Sequence, residues 1–232
     1  MKDFKIRCSA IGQIMTNSRS KSEKISKTTQ TYLQTWFKEQ LYNRNKQFTS
    51  KYTDKGNIME DNSLDFIAEQ LGYGMLLKNE EYFSNDFMTG TPDVILKDHI
   101  IDVKNSWDNF TFPLFETEIP NKDYFYQAQG YMKLTGLDSF KLIYVLSDTP
   151  INLIEAEARK YCYSNGYEPN DEDVLNDFIK RMIYKDIDAK YKIKVFEIKR
   201  CEDTIKAIEE RVIECREYIN ELKKMIWIIL VT

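Results

Sequence analysis

Two neighbouring stretches decide the fold: residues 89–96, Thr-Gly-Thr-Pro-Asp-Val-Ile-Leu, and residues 99–104, His-Ile-Ile-Asp-Val-Lys. Each contains a short apolar, β-branched run, and the two polar residues between them predict a hairpin. Asp93 stands at the head of the first run. Asp102 and Lys104 end the second, two positions apart, so a strand directs both side chains to the same face. Two carboxylates and a lysine that converge can hold a divalent metal and activate a water, which suits phosphodiester cleavage.

The composition predicts a soluble globular protein of one domain, or one domain with an appendage. The chain has 232 residues, of which 42% are hydrophobic and 30% are charged. The sequence has no apolar run of membrane-spanning length, and its start lacks the apolar core of a signal peptide. We therefore expect a cytoplasmic protein that does not insert into a membrane.

The cysteines do not indicate a disulfide framework or a zinc site. Cys8, Cys162, Cys201 and Cys215 form no C-x-x-C pair, and His99 is the single histidine. A cytosolic chain of this size keeps its thiols reduced, and a zinc site needs a denser set of ligands.

Charge is distributed unevenly along the chain. The net charge is −4, but residues 1–51 carry 11 Lys and Arg against three acids, a net charge of +8, and the rest carries −12. A basic amino-terminal segment on an acidic body is compatible with binding nucleic-acid phosphates beside a carboxylate-lined metal site. The alternative is that these lysines and arginines form a solvated helix face.

Hydrophobic periodicity predicts a mixed α/β core with helices around a small sheet. A first short helix, capped by Ser9, is expected over residues 9–15. Further helices are expected over residues 28–46, 58–71, 122–134, 151–164 and 171–188. Strands are expected near residues 73–77, 91–96, 100–104, 140–146 and 191–198, and residues 105–121 are expected to form an aromatic loop.

The carboxy-terminal segment has a heptad pattern, which divides the chain into a main domain over residues 1–200 and a long helix over 201–232. Its seam alternates at three and four residues. Such a seam predicts either an oligomerising helix or a helix that packs on its own chain. Its members are Ile205, Ile208, Val212, Cys215, Ile219, Leu222 and Ile226.

The predicted chemistry needs a hard cation, an activated water and a positive charge near the leaving oxygen. Mg²⁺ prefers oxygen ligands, which the Asp93 and Asp102 carboxylates and the Val103 carbonyl can supply. Lys104 is placed to orient the attacking water, or to help deprotonate it if its neighbours depress its pKa.

Two further elements extend this set. Glu60 can add a third carboxylate, although an acid near a helix start is also explained by the helix dipole. Gln127 and Tyr131 are four apart and share a helix face, where they can hydrogen-bond a phosphate, a metal-bound water or Lys104. The alternative is an amphipathic helix with one polar edge.

In this order, Glu60, Pro92-Asp93, Asp102-Val103-Lys104 and Gln127 resemble the motifs of PD-(D/E)XK nucleases of the RecB-like branch. The pattern Tyr124-x-x-Gln127-x-Gln129-x-Tyr131 resembles that of lambda exonuclease and the YqaJ-like viral recombinases, as does the Ser9 segment. The resemblance covers about residues 7–146. It implies a restriction-endonuclease-like core, a central mixed sheet flanked by helices.

The resemblance also implies function. Glu60, Asp93, Asp102 and Val103 would bind Mg²⁺ or Mn²⁺, Lys104 would position the water, and Gln127 would lie beside it. Ser9, with Arg7 or Arg19, would form the 5′-phosphate pocket, and Tyr124 and Tyr131 would join the DNA-binding set. Family members resect linear duplex DNA from the 5′ end, pass the 3′ overhang to a single-strand annealing protein and form trimeric rings.

The sequence departs from the branch at Asp102, where glutamate is more common, and the shorter side chain would draw the metal closer to the strand. Related iron–sulfur nucleases use one cysteine before the core and three closely spaced ones after it. The dispersed cysteines here predict no such cluster. An endonuclease of the same superfamily and a non-catalytic DNA-end-binding protein remain alternatives to the exonuclease.

Overall fold

The computed structural model describes residues 3–20, 22–47 and 49–231, with side chains up to residue 227. Within these ranges, no helix is both long and apolar enough to cross a membrane. The strands are β1 (Ile6–Arg7), β2 (Phe83–Ser84), β3 (Met88–Gly90), β4 (Val94–Ile95), β5 (Ile100–Asn105), β6 (Ser139–Val145) and β7 (Ile193–Lys199). The helices are α1 (Ile11–Ile14), α2 (Lys27–Tyr42), α3 (Lys51–Leu71), α4 (Lys122–Thr135), α5 (Ile151–Asn165), α6 (Glu172–Met182) and α7 (Glu202–Val231).

A four-stranded mixed sheet forms the centre, in the order β4-β5-β6-β7. Strands β5 and β6 are parallel, with Asp102 opposite Leu142 and Lys104 opposite Tyr144, while the two outer pairs are antiparallel. Because side chains alternate along a strand, Asp102 and Lys104 leave one face of β5, and Ile101 and Val103 leave the other.

A second, three-stranded sheet has the order β1-β3-β2. Strand β1 runs parallel to β3, with Ile6 opposite Met88, and β2 is antiparallel to β3. This pairing places the amino-terminal segment beside the residues that lead into Asp93. The candidate 5′-phosphate residues and the candidate metal ligands therefore come close together in space.

Helices cover both faces of the central sheet. Helix α3 packs Leu64, Ile67 and Ala68 on the face that carries Ile101 and Val103. Residues of α1, α2, α4 and α7 form the core on the opposite face. Five members of the α7 heptad seam are at most 3% exposed: Ile205, Ile208, Val212, Cys215 and Ile219. The last four belong to this core of the same chain.

The basic amino-terminal segment is tied to α7 by its own charges. Lys24 Nζ lies 3.0 Å from a Glu217 carboxylate oxygen, and Arg211 donates to the Lys24 carbonyl at 3.0 Å. Lys27 pairs with Glu23 at 2.8 Å. Lys21 belongs to the same predicted basic segment but lies outside the described residues. Part of the positive charge is therefore balanced within the chain.

Three local predictions were wrong. Helix α3 begins at Lys51, seven residues before the predicted start, because the Ser50 side chain caps it by accepting from the Thr53 N–H. The predicted strand over residues 73–77 is an irregular segment. Ser9 lies within a 3₁₀ turn, and the N-cap of α1 is Ala10, which makes no side-chain cap hydrogen bond.

The predicted fold class is confirmed. The protein has a mixed α/β architecture with helices around the sheets and a long carboxy-terminal helix. The prediction did not contain strands β1, β2 and β3. It therefore also missed the division of the strands into two sheets, in which β1 and β2 pair with β3 rather than with the central sheet.

Candidate active site

Strand β5 places Asp102 and Lys104 side by side at the centre of the site. Asp102 is 1% exposed, and its Oδ2 lies 2.6 Å from Lys104 Nζ. The other carboxylate oxygen, Oδ1, accepts a hydrogen bond of 3.0 Å from Gln127 Nε2 on α4. Asp102 is therefore held between a cation and an amide, which fixes the orientation of a buried charge.

Asp93 joins this pair through the backbone of β5. Strand β4 pairs only with Ile100 and Ile101, so the Val103 N–H beyond its end has no strand partner on that side. It donates instead to Asp93 Oδ2 at 3.2 Å. Burial and, to a smaller extent, the nearby Asp102 charge raise the pKa of the Asp93 carboxyl to about 7, while Lys104 opposes the shift. Two carboxylates thus repel each other in a desolvated place.

Lys104 remains a cation at this site. Burial lowers the pKa of its ammonium, but the charges of Asp102 and Asp93 outweigh burial and hold the pKa above its usual range. The Nζ atom also lies 5.0 Å from the centre of the Tyr124 ring, where the ring face favours a positive charge. The condition for a basic role, a depressed pKa, is not met, so the arrangement fits a charge that orients and stabilises.

Helix α4 supplies the amide and phenol that the sequence predicted for one face. Gln127 Nε2 also approaches the Tyr131 hydroxyl at 3.5 Å, and both side chains are buried. Tyr131 stacks on Phe140, with ring centres 6.4 Å apart. The helix therefore delivers its polar face to Asp102 and not to solvent.

Glu60 lies well inside α3, nine residues after its first residue, so the helix-dipole explanation is wrong for this acid. Its Oε2 pairs with Lys78 Nζ at 2.5 Å. Glu60 is close enough to Asp93 to contribute to the raised pKa of that carboxyl. Sequence reasoning did not find Lys78, because nothing local marks a lysine 18 residues away as the partner of Glu60.

The donor set of the site fits a hard cation in part. Among the described residues, no group of three or more His, Cys, Asp or Glu lies close enough together to hold a metal ion. Two mutually repelling carboxylates are nonetheless present, and the N–H and C=O of one strand residue point to the same side. The Val103 carbonyl therefore faces the side on which Asp93 lies. Two carboxylates and a carbonyl are oxygen ligands of the kind that Mg²⁺ prefers.

A cleft of about 290 Å³ opens beside this site. Its lining includes two predicted phosphate-binding residues, Arg7 and Ser9, together with Thr89, Thr91 and Tyr131. Arg7 and Ser9 are exposed, so a ligand can reach them, and the Arg7 guanidinium also lies close to the Tyr32 hydroxyl. Thr89 and Thr91 were missed as site residues, although both belong to the same stretch, residues 89–96, as Asp93. Arg19 is exposed but does not line this cleft.

Comparison with known proteins identifies the fold. No protein-family model matches the chain, and neither does any curated protein. A phage-related exonuclease from Haemophilus somnus 129PT matches with 27% identity, a TM-score of 0.77 and 97% of each chain covered. The alkaline exonuclease LHK-Exo from Laribacter hongkongensis shares the fold at 14% identity, with a TM-score of 0.64 over 97% of this chain and 94% of that one.

These neighbours cover nearly the whole chain, including the sheet that carries Asp102 and Lys104. The neighbour of 27% identity supports a nuclease, as the motifs predicted, and LHK-Exo supports the fold. The structural neighbours of this chain are phage-related and alkaline exonucleases of the lambda exonuclease type.

Proposed function

We propose that the protein is a metal-dependent exonuclease that resects linear duplex DNA in a phage-type recombination system. The observation that carries this proposal is the convergence of Asp93, Asp102 and Lys104 next to a cleft with Arg7 and Ser9 at its wall. The exonuclease names of the neighbours support it. LHK-Exo has also been solved in complex with dAMP, a nucleotide of the kind that DNA degradation releases.

In this proposal, a bound Mg²⁺ or Mn²⁺ would supply a Lewis acid and lower the pKa of a water. Asp93, Asp102 and the Val103 carbonyl would hold the ion. Glu60 would join them in exchange for its ion pair with Lys78. Lys104 orients the water and balances charge on the phosphate, while the Gln127 amide holds the Asp102 carboxylate in one orientation.

The cleft beside the proposed metal ligands supports a direction of digestion along the DNA strand. Arg7 and Ser9 would receive a 5′-phosphate, so hydrolysis would proceed 5′→3′ and leave a 3′ single strand for an annealing protein. The Tyr124 ring beside Lys104 would line the path of the strand. A trimeric ring around DNA, as the resemblance implies, would keep the enzyme on its substrate.

Two substitutions test the catalytic assignment. Asp102→Asn and Lys104→Met should each lower the Mg²⁺-dependent digestion rate of linear duplex DNA by about 100-fold or more, because each removes a charge at the reacting phosphate. Matched controls are Asp98→Asn, an exposed carboxylate, and Lys141→Met, a lysine on β6 that bonds the Tyr73 hydroxyl. Circular dichroism checks folding. Full activity in both site variants would overturn the proposal.

Closed circular DNA separates exonuclease from endonuclease. The proposed exonuclease should degrade linear duplex and leave the closed circle intact, whereas an endonuclease would nick the circle. Tight binding to DNA ends without any metal-dependent cleavage would instead indicate an end-binding protein.

The 5′-phosphate pocket is tested by Arg7→Gln on two substrates. We expect the KM to rise about 10-fold for duplex with a 5′-phosphate and to change little for duplex with a 5′-hydroxyl, since one charge-assisted hydrogen bond is lost. Equal effects on both substrates would place Arg7 elsewhere on the DNA path.

A further inference from the structure

Lys55 is a buried cation outside the site described above. It lies in the first turns of α3 and is 0% exposed. Within the described chain it is the sole lysine or arginine in the buried class, and its ammonium forms no ion pair. The Asp108 and Asp148 charges favour the ammonium, but neither pairs with it directly. A buried charge without a direct counter-charge is costly, and a methionine would fill the same volume more cheaply. The cost points to a role that packing alone does not explain.

The Lys55 ammonium joins the chain segments that follow the two central strands. Its Nζ donates to the Trp107 carbonyl at 3.0 Å and to the Ser147 carbonyl at 2.8 Å. Trp107 lies two residues beyond the end of β5, and Ser147 two residues beyond the end of β6. One side chain of α3 therefore holds the carboxyl ends of both parallel strands.

A second polar connection joins the same three elements. The Asn105 side-chain oxygen, at the end of β5, accepts from Ser63 Oγ of α3 at 2.6 Å and from Ser147 Oγ at 2.8 Å. Asn105 directly follows Lys104. The hydrogen bonds of Lys55 and Asn105 thus form a small network between α3 and the end of the strand that carries the catalytic pair.

Helix α3 also carries Glu60, five residues after Lys55. The distance between Glu60 and the Asp102 pair depends on how α3 is seated against β5. We propose that Lys55 is a positioning residue, whose ammonium fixes α3, and with it Glu60, against the end of the strand that bears Asp102 and Lys104. This inference rests on the proposed nuclease function.

The test compares Lys55→Met, which keeps the volume and removes the hydrogen bonds, with Gln129→Met as a matched control. Gln129 is also fully buried and also bridges two backbone groups, Lys199 C=O and Cys201 N–H, away from the site. For Lys55→Met we expect kcat to fall about 10-fold or more, KM for DNA to change less than 2-fold, and more Mn²⁺ to be needed for half-maximal rate. For Gln129→Met, kcat and the Mn²⁺ requirement should stay at wild-type values.

A double-mutant cycle shows whether Lys55 acts through Glu60. If it does, adding Lys55→Met to Glu60→Gln should cause little further loss of kcat. An unchanged fold-loss in the Glu60→Gln background would overturn the proposal. If the Glu60→Gln rate is too low to measure, calorimetric Mn²⁺ binding decides, since Lys55→Met should weaken it and Gln129→Met should not.

Failure of this inference is distinguishable from failure of the proposed function. If wild-type protein degrades DNA with Mn²⁺ and Lys55→Met keeps both kcat and the Mn²⁺ requirement, the positioning role is wrong and the nuclease stands. If wild-type protein neither binds Mn²⁺ nor degrades DNA, the proposed function itself is wrong.

Discussion

At the scale of single residues, the site holds two like charges close together, and a bound cation would offset their repulsion. Asp93 and Asp102 are two carboxylates in a mostly desolvated place, and a single ammonium, that of Lys104, lies beside them. Repulsion between buried carboxylates is expected where a protein binds a ligand rather than where it only needs stability.

Asp93→Asn should stabilise the metal-free protein by about 1–2 kcal/mol at pH 7–8, because one of two repelling charges is removed while the Val103 N–H keeps an acceptor. The native pKa of Asp93, about 7, lies above its ordinary value of 3.8. The folded state therefore binds more protons between these values, and wild-type stability falls relative to the variant as pH rises through that window.

Thermal unfolding in a chelator measures this difference. Added Mn²⁺ should reverse the order by stabilising wild type more than the variant. Equal melting temperatures for both proteins at all pH values would contradict the prediction.

Lys55 should make the free energy of unfolding depend on pH at alkaline values. Burial lowers the pKa of its ammonium to about 8 from an ordinary 10.5. Between these values the unfolded chain binds more protons than the folded protein, so the unfolding free energy rises with pH, by at most about 3 kcal/mol in total. Denaturant titrations of wild type and Lys55→Met isolate this effect, since other groups cancel in the difference. A pH-independent difference would show an unshifted lysine.

At the scale of elements, helix α4 approaches its neighbours more closely than any side chain allows. A Cβ built on Gly130 would lie 2.6 Å from Ile11 Cδ1 and 2.8 Å from Cys8 Sγ. Gly56 in α3 has nothing within 4 Å of such a Cβ. The two helical glycines therefore have opposite roles: Gly130 permits contact with the amino-terminal segment, whereas Gly56 only weakens its helix.

Alanine should consequently have opposite effects at the two positions. Gly130→Ala should destabilise the protein by about 1–2 kcal/mol through overpacking, despite the better helix propensity of alanine. Gly56→Ala should stabilise it by about 0.5–1 kcal/mol. Chemical denaturation of both variants checks this pair. Stabilisation by Gly130→Ala would mean that the segment around Cys8 moves away at little cost.

At the scale of the whole molecule, the separation of charge between the amino-terminal segment and the acidic body is partly cancelled by internal pairing. Lys24 is paired with Glu217, whereas Arg7 opens into the cleft beside the site. Because the net charge is −4, the protein as a whole does not attract DNA, and contacts with phosphates depend on a few local cations. Affinity for DNA should therefore depend on salt through few residues.

Arg7→Gln should reduce the slope of log affinity against log salt by about 0.9, the contribution of one phosphate contact. Lys24→Gln, the matched control, should leave the slope at the wild-type value. Fluorescence anisotropy with labelled linear duplex, at several salt concentrations and in Ca²⁺ to suppress cleavage, measures both slopes. A lower slope for Lys24→Gln would show that this lysine exchanges Glu217 for DNA.

The sequence predicted local features well and long-range partners poorly. The strand with Asp102 and Lys104, and the helix with Gln127 and Tyr131, follow from alternation and i,i+4 spacing, which act over a few residues. The pairing of Glu60 with Lys78 and the network around Lys55 depend on chain segments that meet only in the folded state. The early start of α3 was missed because a polar first turn hides its apolar stripe.

The hydrogen bond from the Val103 N–H to Asp93 has a consequence for self-association. Strand β4 stops short, and the Asp93 side chain takes the place of the missing strand residue. Open N–H groups at a sheet edge invite strands of other molecules, which leads to aggregation. Asp93, the proposed metal ligand, thus also occupies the open N–H group of that edge. Asp93→Ala should aggregate more readily than Asp93→Asn, although both remove the same charge.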